Sequence, residues 1–224
     1  MEWNGKTMTS IKVCGITRVE DGLAASRAGC NGVGFIFAPS PRRVAPADAR
    51  AIARRLPPLV ARVGVFVDAP VEEMAAVAKE VGLDVIQLHG SEPPSVADAV
   101  REATGCRIVK ALRLKEPRQL ERLQDYPADG WLLDTYRPGQ AGGTGQVFPW
   151  RWLQEVPPPP DVVVFIAGGL TPDNVAEALR QGRPHGVDVS SGVEAAPGIK
   201  DHGLIRRFIR EVRRFDLGDG EDAA

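Results

Sequence analysis

The pattern of hydrophobic and polar positions alternates along the chain between short strand-like runs and longer amphipathic stretches. In residues 11–14, apolar and polar side chains alternate with a period of two, which is typical of a β-strand, and Gly15 ends the run. A helical pattern follows from Val19 to Ala28, and Gly29 stands where a helix commonly stops. The same order of strand and helix then repeats through most of the chain.

Eight such strand–helix units predict the architecture. The predicted strands span residues 11–14, 33–37, 63–67, 84–89, 107–112, 131–134, 162–167 and 186–189. The predicted helices span residues 19–28, 47–56, 71–81, 93–103, 117–124, 150–156, 173–181 and 203–215. Eight alternations with short connections favour an α/β fold, a single (β/α)8 TIM barrel, over the alternative of a doubly wound open sheet. We expect the barrel to span residues 10–215, between a flexible leader (1–9) and an acidic, disordered tail (216–224).

Composition narrows the function classes. The 224 residues are 43% hydrophobic and 25% charged with a net charge of -1, a profile that favours neither nucleic acid nor a membrane as partner. No apolar run approaches the ~18 residues that a membrane span needs. Three separated cysteines without CxxC spacing indicate a reduced, cytoplasmic setting. Three scattered histidines predict no metal site, and no cofactor is expected.

The ends of the predicted strands carry the residues that are capable of chemistry, as expected for a barrel enzyme. They are Cys14, Arg42, His89, Asp134, Gly168, Gly169, Ser190 and Ser191. The glycine pair and the serine pair follow strands 7 and 8, where barrels commonly bind phosphate through backbone N–H groups. Either pair alone could be no more than a tight turn; together they favour a phosphate site.

Cys14 and Asp134 form a candidate base and acid. They lie at the ends of strands 1 and 6, so they can approach a substrate from two sides of the ring. The alternatives are that Cys14 is an inert buried thiol and that Asp134 caps a turn. Lys12 and Asp188, on the neighbouring strands 1 and 8, are expected to pair inside the barrel mouth.

Several stretches, in order from Ile11 to Phe215, resemble the phosphoribosylanthranilate isomerase family. They are Lys-Val-Cys-Gly-Ile-Thr (12–17), Gly-Phe-Ile-Phe with Ser-Pro-Arg (34–42), Val-Gly-Val-Phe-Val (63–67), Gln-Leu-His-Gly (87–90), Leu-Leu-Asp (132–134), Gly-Gly-Thr-Gly (142–145), Ala-Gly-Gly-Leu with an asparagine (167–174) and Asp-Val-Ser-Ser-Gly-Val-Glu (188–194). The family is a TIM barrel of tryptophan biosynthesis. Its reaction is a cofactor-free Amadori rearrangement of N-(5-phosphoribosyl)anthranilate to 1-(2-carboxyphenylamino)-1-deoxyribulose 5-phosphate.

The resemblance also implies roles for individual residues. It implies that Cys14 is the general base, that Asp134 is the general acid, and that Arg42 holds the anthranilate carboxylate; because the loop before it is short, Arg43 stays open for that task. We also expect His89 and Asp188 to bind substrate. The expected phosphate-binding residues are Gly145, Gly168, Gly169, Ser190 and Ser191.

The expected partner is a small phosphosugar-anthranilate substrate, and the expected assembly is a monomer or a homodimer. Two alternative functions stay open from the sequence. A dual-substrate isomerase that also serves histidine biosynthesis would resemble this chain, but such barrels have an aspartate where this chain has Cys14. A catalytically silent phosphate-binding barrel would need neither Cys14 nor Asp134.

Overall fold

A closed ring of eight parallel strands forms the centre of the molecule, and the TIM barrel predicted from the sequence is confirmed. The computed structural model describes residues 8–114, 116–135, 149–155, 159 and 161–218. Each strand pairs with its neighbours in sequence order, and β8 closes the ring against β1. The strands are β1 Ser10–Cys14, β2 Gly32–Ile36, β3 Ala61–Phe66, β4 Val85–Leu88, β5 Arg107–Leu114, β6 Gly130–Thr135, β7 Val163–Ile166 and β8 Gly186–Val189.

Helices follow the strands around the outside of the ring. They are α1 Val19–Ala28, α2 Pro46–Ala53, α3 Val71–Val81, α4 Pro94–Thr104, α5 Trp152–Glu155, α6 Val175–Gly182 and α7 His202–Leu217, with 3₁₀ helices at Pro117–Leu123 and Ser191–Val193. Their ends are set by local chemistry. Gly29, Gly82 and Gly105 end three helices in the left-handed conformation. At the start of α7, the Asp201 carboxylate accepts hydrogen bonds from two backbone N–H groups.

Two hydrophobic regions build the core. The larger one lies between the ring and the helices and includes Ile11 and Val13, the apolar positions of β1. The smaller one lies inside the ring and consists of Ala111, Leu132 and Ala167 with two partly buried neighbours. The rest of the buried interior is unusually polar, because four barrel strands contribute polar side chains to it. These side chains are Lys12, Gln87, Lys110 and Asp188.

The structure contains a hairpin that was not predicted from the sequence. A two-stranded antiparallel hairpin follows the Ser191–Val193 turn, with β9 at Glu194–Ala196 and β10 at Ile199–Lys200. Helix α5 begins at Trp152, two residues later than predicted, and its described part runs to Glu155. None of the described helices is long and apolar enough to cross a membrane.

Hydrogen bonds connect the two ends of the described chain. Thr9 donates from its backbone N–H and its hydroxyl to the Asp216 carboxylate, at 3.1 and 2.6 Å. Arg213 binds the same carboxylate and the Thr9 carbonyl. Helix α7 runs to Leu217, so the predicted start of the tail at residue 216 is two residues too early, and Thr9 of the predicted leader is buried. The remaining leader (1–7) and tail (219–224) lie outside the described residues.

Candidate active site

A cavity of about 170 Å³ opens at the carboxyl ends of the strands. Nine of the ten site residues predicted from the sequence line it; they are Cys14, Arg42, His89, Asp134, Gly168, Gly169, Asp188, Ser190 and Ser191. The tenth, Gly145, lies outside the described residues. The ends of strands 1, 6 and 8 and the loops after strands 2, 4, 7 and 8 therefore converge on one site, as the barrel topology requires.

Cys14 is the last residue of β1, and its thiol lies in a gap left by a glycine on the next strand. Gly34 is the register partner of Cys14 on β2, and a Cβ at that position would come within 2.8 Å of the Cys14 Sγ. On the other side, Lys12 donates to the Asp188 carboxylate at 2.9 Å, which confirms the pair predicted from the sequence. The thiol thus faces a buried ion pair and the mouth of the cavity.

The charged groups around Cys14 have opposing effects on the pKa of its thiol. Burial raises the pKa of the Cys14 thiol above its ordinary value of 9.0, and the Asp188 carboxylate adds to the rise, whereas the ammonium groups of Lys12 and Lys200 oppose it. Burial also lowers the pKa of Lys12, but the charges of Asp188 and Cys14 outweigh burial and leave it raised. Lys12 is therefore cationic, and a thiolate at Cys14 would form beside positive charge.

Asp134 stands near the end of β6, and His89, which follows β4, lies beside it. The Nε2 of His89 lies 3.6 Å from the Asp134 Oδ2. The Nδ1 of His89 lies 2.8 Å from the amide nitrogen of Gln87, which is buried. Asp134 is thus the end of a short polar chain that begins inside the barrel.

Arg42 reaches the cavity from the β2–α2 loop and is held by a carboxylate of the hairpin. Its Nε and Nη2 donate to Glu194 at 2.7–3.1 Å, and this pairing raises the pKa of Arg42. Glu194 also accepts from Lys200 at 2.8 Å. Arg43 is exposed and does not line the cavity, so the geometry favours Arg42 over Arg43 for a contact with substrate.

The loops after β7 and β8 pack against each other. Gly168 and Gly169 both have positive φ, a conformation open to glycine. A Cβ on Gly192 would collide with the carbonyl oxygen of Leu170, so the two loops approach each other more closely than a side chain would allow. The buried Lys200 ammonium lies 3.2 Å from the Ser190 carbonyl and 3.4 Å from its hydroxyl, which brings positive charge to the Ser190 end of this wall.

Three polar residues of the site were missed as site residues from the sequence. Glu194 ends a motif that carries the family resemblance, but its bond to Arg42 depends on the hairpin, which has no alternating pattern to reveal it. Lys200 is buried because Glu194 neutralises it, and such compensation is visible only in three dimensions. Gln87 is the polar member of an otherwise apolar strand and begins the Gln-Leu-His-Gly stretch of the family resemblance, and both signals could have identified it.

Within the described ranges, no group of three or more histidine, cysteine, aspartate or glutamate side chains could hold a metal ion. The side chains that line the cavity include a thiol and a carboxyl, groups that can transfer protons, and an arginine, a group that can bind an anion.

Comparisons with known proteins agree with this geometry. Residues 11–211 match the family described as N-(5'phosphoribosyl)anthranilate (PRA) isomerase. An N-(5'-phosphoribosyl)anthranilate isomerase of Rubrobacter xylanophilus is 48% identical over 208 residues, which are 92% of this chain and 100% of that protein.

Solved structures give the same result. The phosphoribosyl anthranilate isomerase of Thermotoga maritima is 40% identical with a TM-score of 0.85, covering 92% of this chain and 99% of the other. A second isomerase structure, 38% identical with a TM-score of 0.79 and the same coverage, holds reduced 1-(o-carboxyphenylamino)-1-deoxyribulose 5-phosphate. A third, with the same identity, TM-score and coverage, is described as monomers made from the dimeric Thermotoga maritima enzyme.

Proposed function

Because this chain belongs to the N-(5'-phosphoribosyl)anthranilate isomerase family, we propose that Cys14 and Asp134 are the base and the acid of that family's reaction. The activity is the isomerisation of N-(5'-phosphoribosyl)anthranilate in tryptophan biosynthesis. The observation that carries the proposal for the two residues is that both line one cavity, together with Arg42 and the loops after β7 and β8.

The proposed steps balance without an external oxidant or reductant. Asp134 protonates the ring oxygen of the ribose, the C1–O bond breaks, and the nitrogen lone pair forms the Schiff base. Cys14 as thiolate then removes the proton from C2, which gives an enolamine. Protonation at C1 and formation of the C2 ketone yield 1-(2-carboxyphenylamino)-1-deoxyribulose 5-phosphate.

The two anionic ends of the substrate are proposed to bind on different walls. Arg42 would hold the anthranilate carboxylate, with Glu194 fixing its guanidinium. Gly168, Gly169, Ser190 and Ser191 would hold the phosphate, with the Lys200 charge behind them. Gly145, from the resemblance, is proposed for the same phosphate, and His89 and Asp188 for contacts between the two ends. Inorganic phosphate should therefore compete with substrate.

We also propose a cytoplasmic location and a monomeric or homodimeric assembly. A relative with 38% identity is described as dimeric, which supports the second possibility. Size-exclusion chromatography with light scattering measures the assembly directly.

The loss of substrate fluorescence tests the function. Pure protein is mixed with freshly generated N-(5'-phosphoribosyl)anthranilate, and the product is identified by mass spectrometry. Turnover is expected, and the absence of turnover would leave the silent phosphate-binding barrel. Turnover of the aminoaldose of histidine biosynthesis at a comparable rate would instead identify a dual-substrate isomerase.

A further inference from the structure

The pairing of Gln87 with His89 is the basis of a further inference. Gln87 has 1% of its surface exposed and lies between two cavities, the active-site cavity and a second one of about 290 Å³ at the amino ends of the strands. Its amide nitrogen approaches the His89 Nδ1 at 2.8 Å. Its Oε1 accepts no hydrogen bond from the described part of the chain. The contact with His89 is thus the polar interaction that Gln87 makes there.

The contact with Gln87 sets the protonation state of the His89 ring. An amide NH2 group can only donate, so the Nδ1 that faces Gln87 must be an unprotonated acceptor. The neutral ring then carries its proton on Nε2, the nitrogen that lies 3.6 Å from the Asp134 Oδ2. A neutral imidazole with its proton on Nε2 satisfies both contacts, whereas an imidazolium would place an N–H against the amide N–H of Gln87.

We propose that Gln87 is a positioning residue that holds His89 neutral, with its proton on Nε2, and thereby keeps a full positive charge away from Asp134. An imidazolium at this place would favour the ionised carboxylate, which has no proton to give to the ring oxygen. A neutral N–H still orients the carboxyl group. The consequence for catalysis rests on the proposed role of Asp134 as acid; the protonation state of His89 does not.

The nitrogen chemical shifts of the histidine rings test the first half. The chain has three histidines, so a ¹⁵N-labelled sample gives few signals. His185 serves as an internal reference, because its Nδ1 accepts a hydrogen bond from the backbone N–H of Val164 at 3.0 Å. We expect His89 to show the same neutral form as His185 at neutral pH. A proton on Nδ1, or an imidazolium, would overturn the proposal.

Two substitutions test the second half. Gln87→Met keeps the length of the side chain but removes the donor, and we expect kcat to fall about 5- to 10-fold with KM changed less than about twofold. Gln87→Glu replaces the donor by an acceptor, which should bring a proton to Nδ1 and lower kcat by more than about tenfold. In both variants the His89 signals should move and those of His185 should not.

Val109→Ala is the matched control. Val109 is the register partner of Gln87 on β5 and lines the second cavity, so its truncation disturbs the packing of the same layer without touching His89. Its kcat and its His89 signals should equal those of the wild type. If Gln87→Met moves the His89 signals but leaves kcat unchanged, the positioning role is overturned. A fall in kcat for the control equal to that for Gln87→Met would overturn it as well.

Discussion

At the scale of single residues, the roles of Cys14 and Asp134 can be separated. Cys14→Ser and Asp134→Asn nearly preserve shape, and each should lower kcat about 10²–10⁴-fold, the usual size of a general acid–base contribution. With substrate deuterated at C2, the isotope effect should grow in Cys14→Ser, where proton removal limits the rate. It should shrink in Asp134→Asn, where ring opening limits it. The opposite order would reverse the assignment.

A second residue-scale prediction concerns the substrate carboxylate. Arg42→Ala should raise KM about 10- to 100-fold, because a charge-assisted hydrogen bond contributes roughly 1.5–3 kcal/mol. Arg43→Ala is the matched control, since Arg43 is adjacent in sequence and exposed. Steady-state kinetics with both variants measures the difference. A larger KM effect for Arg43 would show that the short loop presents the other arginine to the substrate.

At the scale of elements, the loop after β4 is held by one buried carboxylate. Glu92 accepts from the backbone N–H groups of Asp68 and Gly90 and pairs with Lys110 at 2.6 Å, both side chains being almost fully buried. Glu92→Ala would leave the Lys110 charge unpaired, and we expect the free energy of unfolding to fall by about 3–5 kcal/mol. Urea unfolding measures this, and Glu102→Ala, an exposed position on α4, should change it by less than about 0.5 kcal/mol. An equal fall in the free energy of unfolding for Glu92→Ala and Glu102→Ala would contradict the role of Glu92 in holding this loop.

The strands and turns also show which parts of the fold could be predicted from the sequence. The strand that ends at Cys14 was predictable because alternation and a glycine are local signals, and the same is true of the turns after β7 and β8. The β9–β10 hairpin could not be predicted, because Glu194–Ala196 is too short to show an alternating pattern. The contacts of its Glu194 with Arg42 and Lys200 form only in the folded chain. Side chains at strand ends were therefore assigned to the site, whereas the residues that hold them in place were not.

At the scale of the whole molecule, the free energy of unfolding should fall at low pH. Burial raises the pKa values of Glu92 and Glu194, but their bonds to Lys110 and Arg42 outweigh burial, so both pKa values lie below 4.5. Burial likewise raises the pKa values of Asp84 and Asp129, but their arginine and backbone partners outweigh it, so both lie below 3.8. A lowered pKa means that the unfolded chain binds more protons between the two values, so stability rises with pH there. The contribution is complete above about pH 5 and is lost as the pH falls through the folded-state values.

Urea unfolding at a series of pH values measures this dependence. The free energy of unfolding should stay nearly level from about pH 7 to 5 and decline steadily below about pH 4.5. A Glu92→Gln variant should start lower and decline less steeply, because it cannot take up the proton. A wild-type protein as stable at pH 3 as at pH 6 would contradict the prediction.

The bonds between Thr9 and Asp216 bear on how the ring can come apart. A ring of eight strands has one seam that the peptide chain does not cross, and here it lies where β8 meets β1. Non-covalent contacts close this seam: the strand pairing itself, the Lys12–Asp188 ion pair, and the hydrogen bonds of the Asp216 carboxylate. One of the two strands at this seam, β1, carries Cys14. If β1 frays at this seam before the rest of the barrel unfolds, the proposed base leaves the site, and activity falls at a lower denaturant concentration than the one that unfolds the protein.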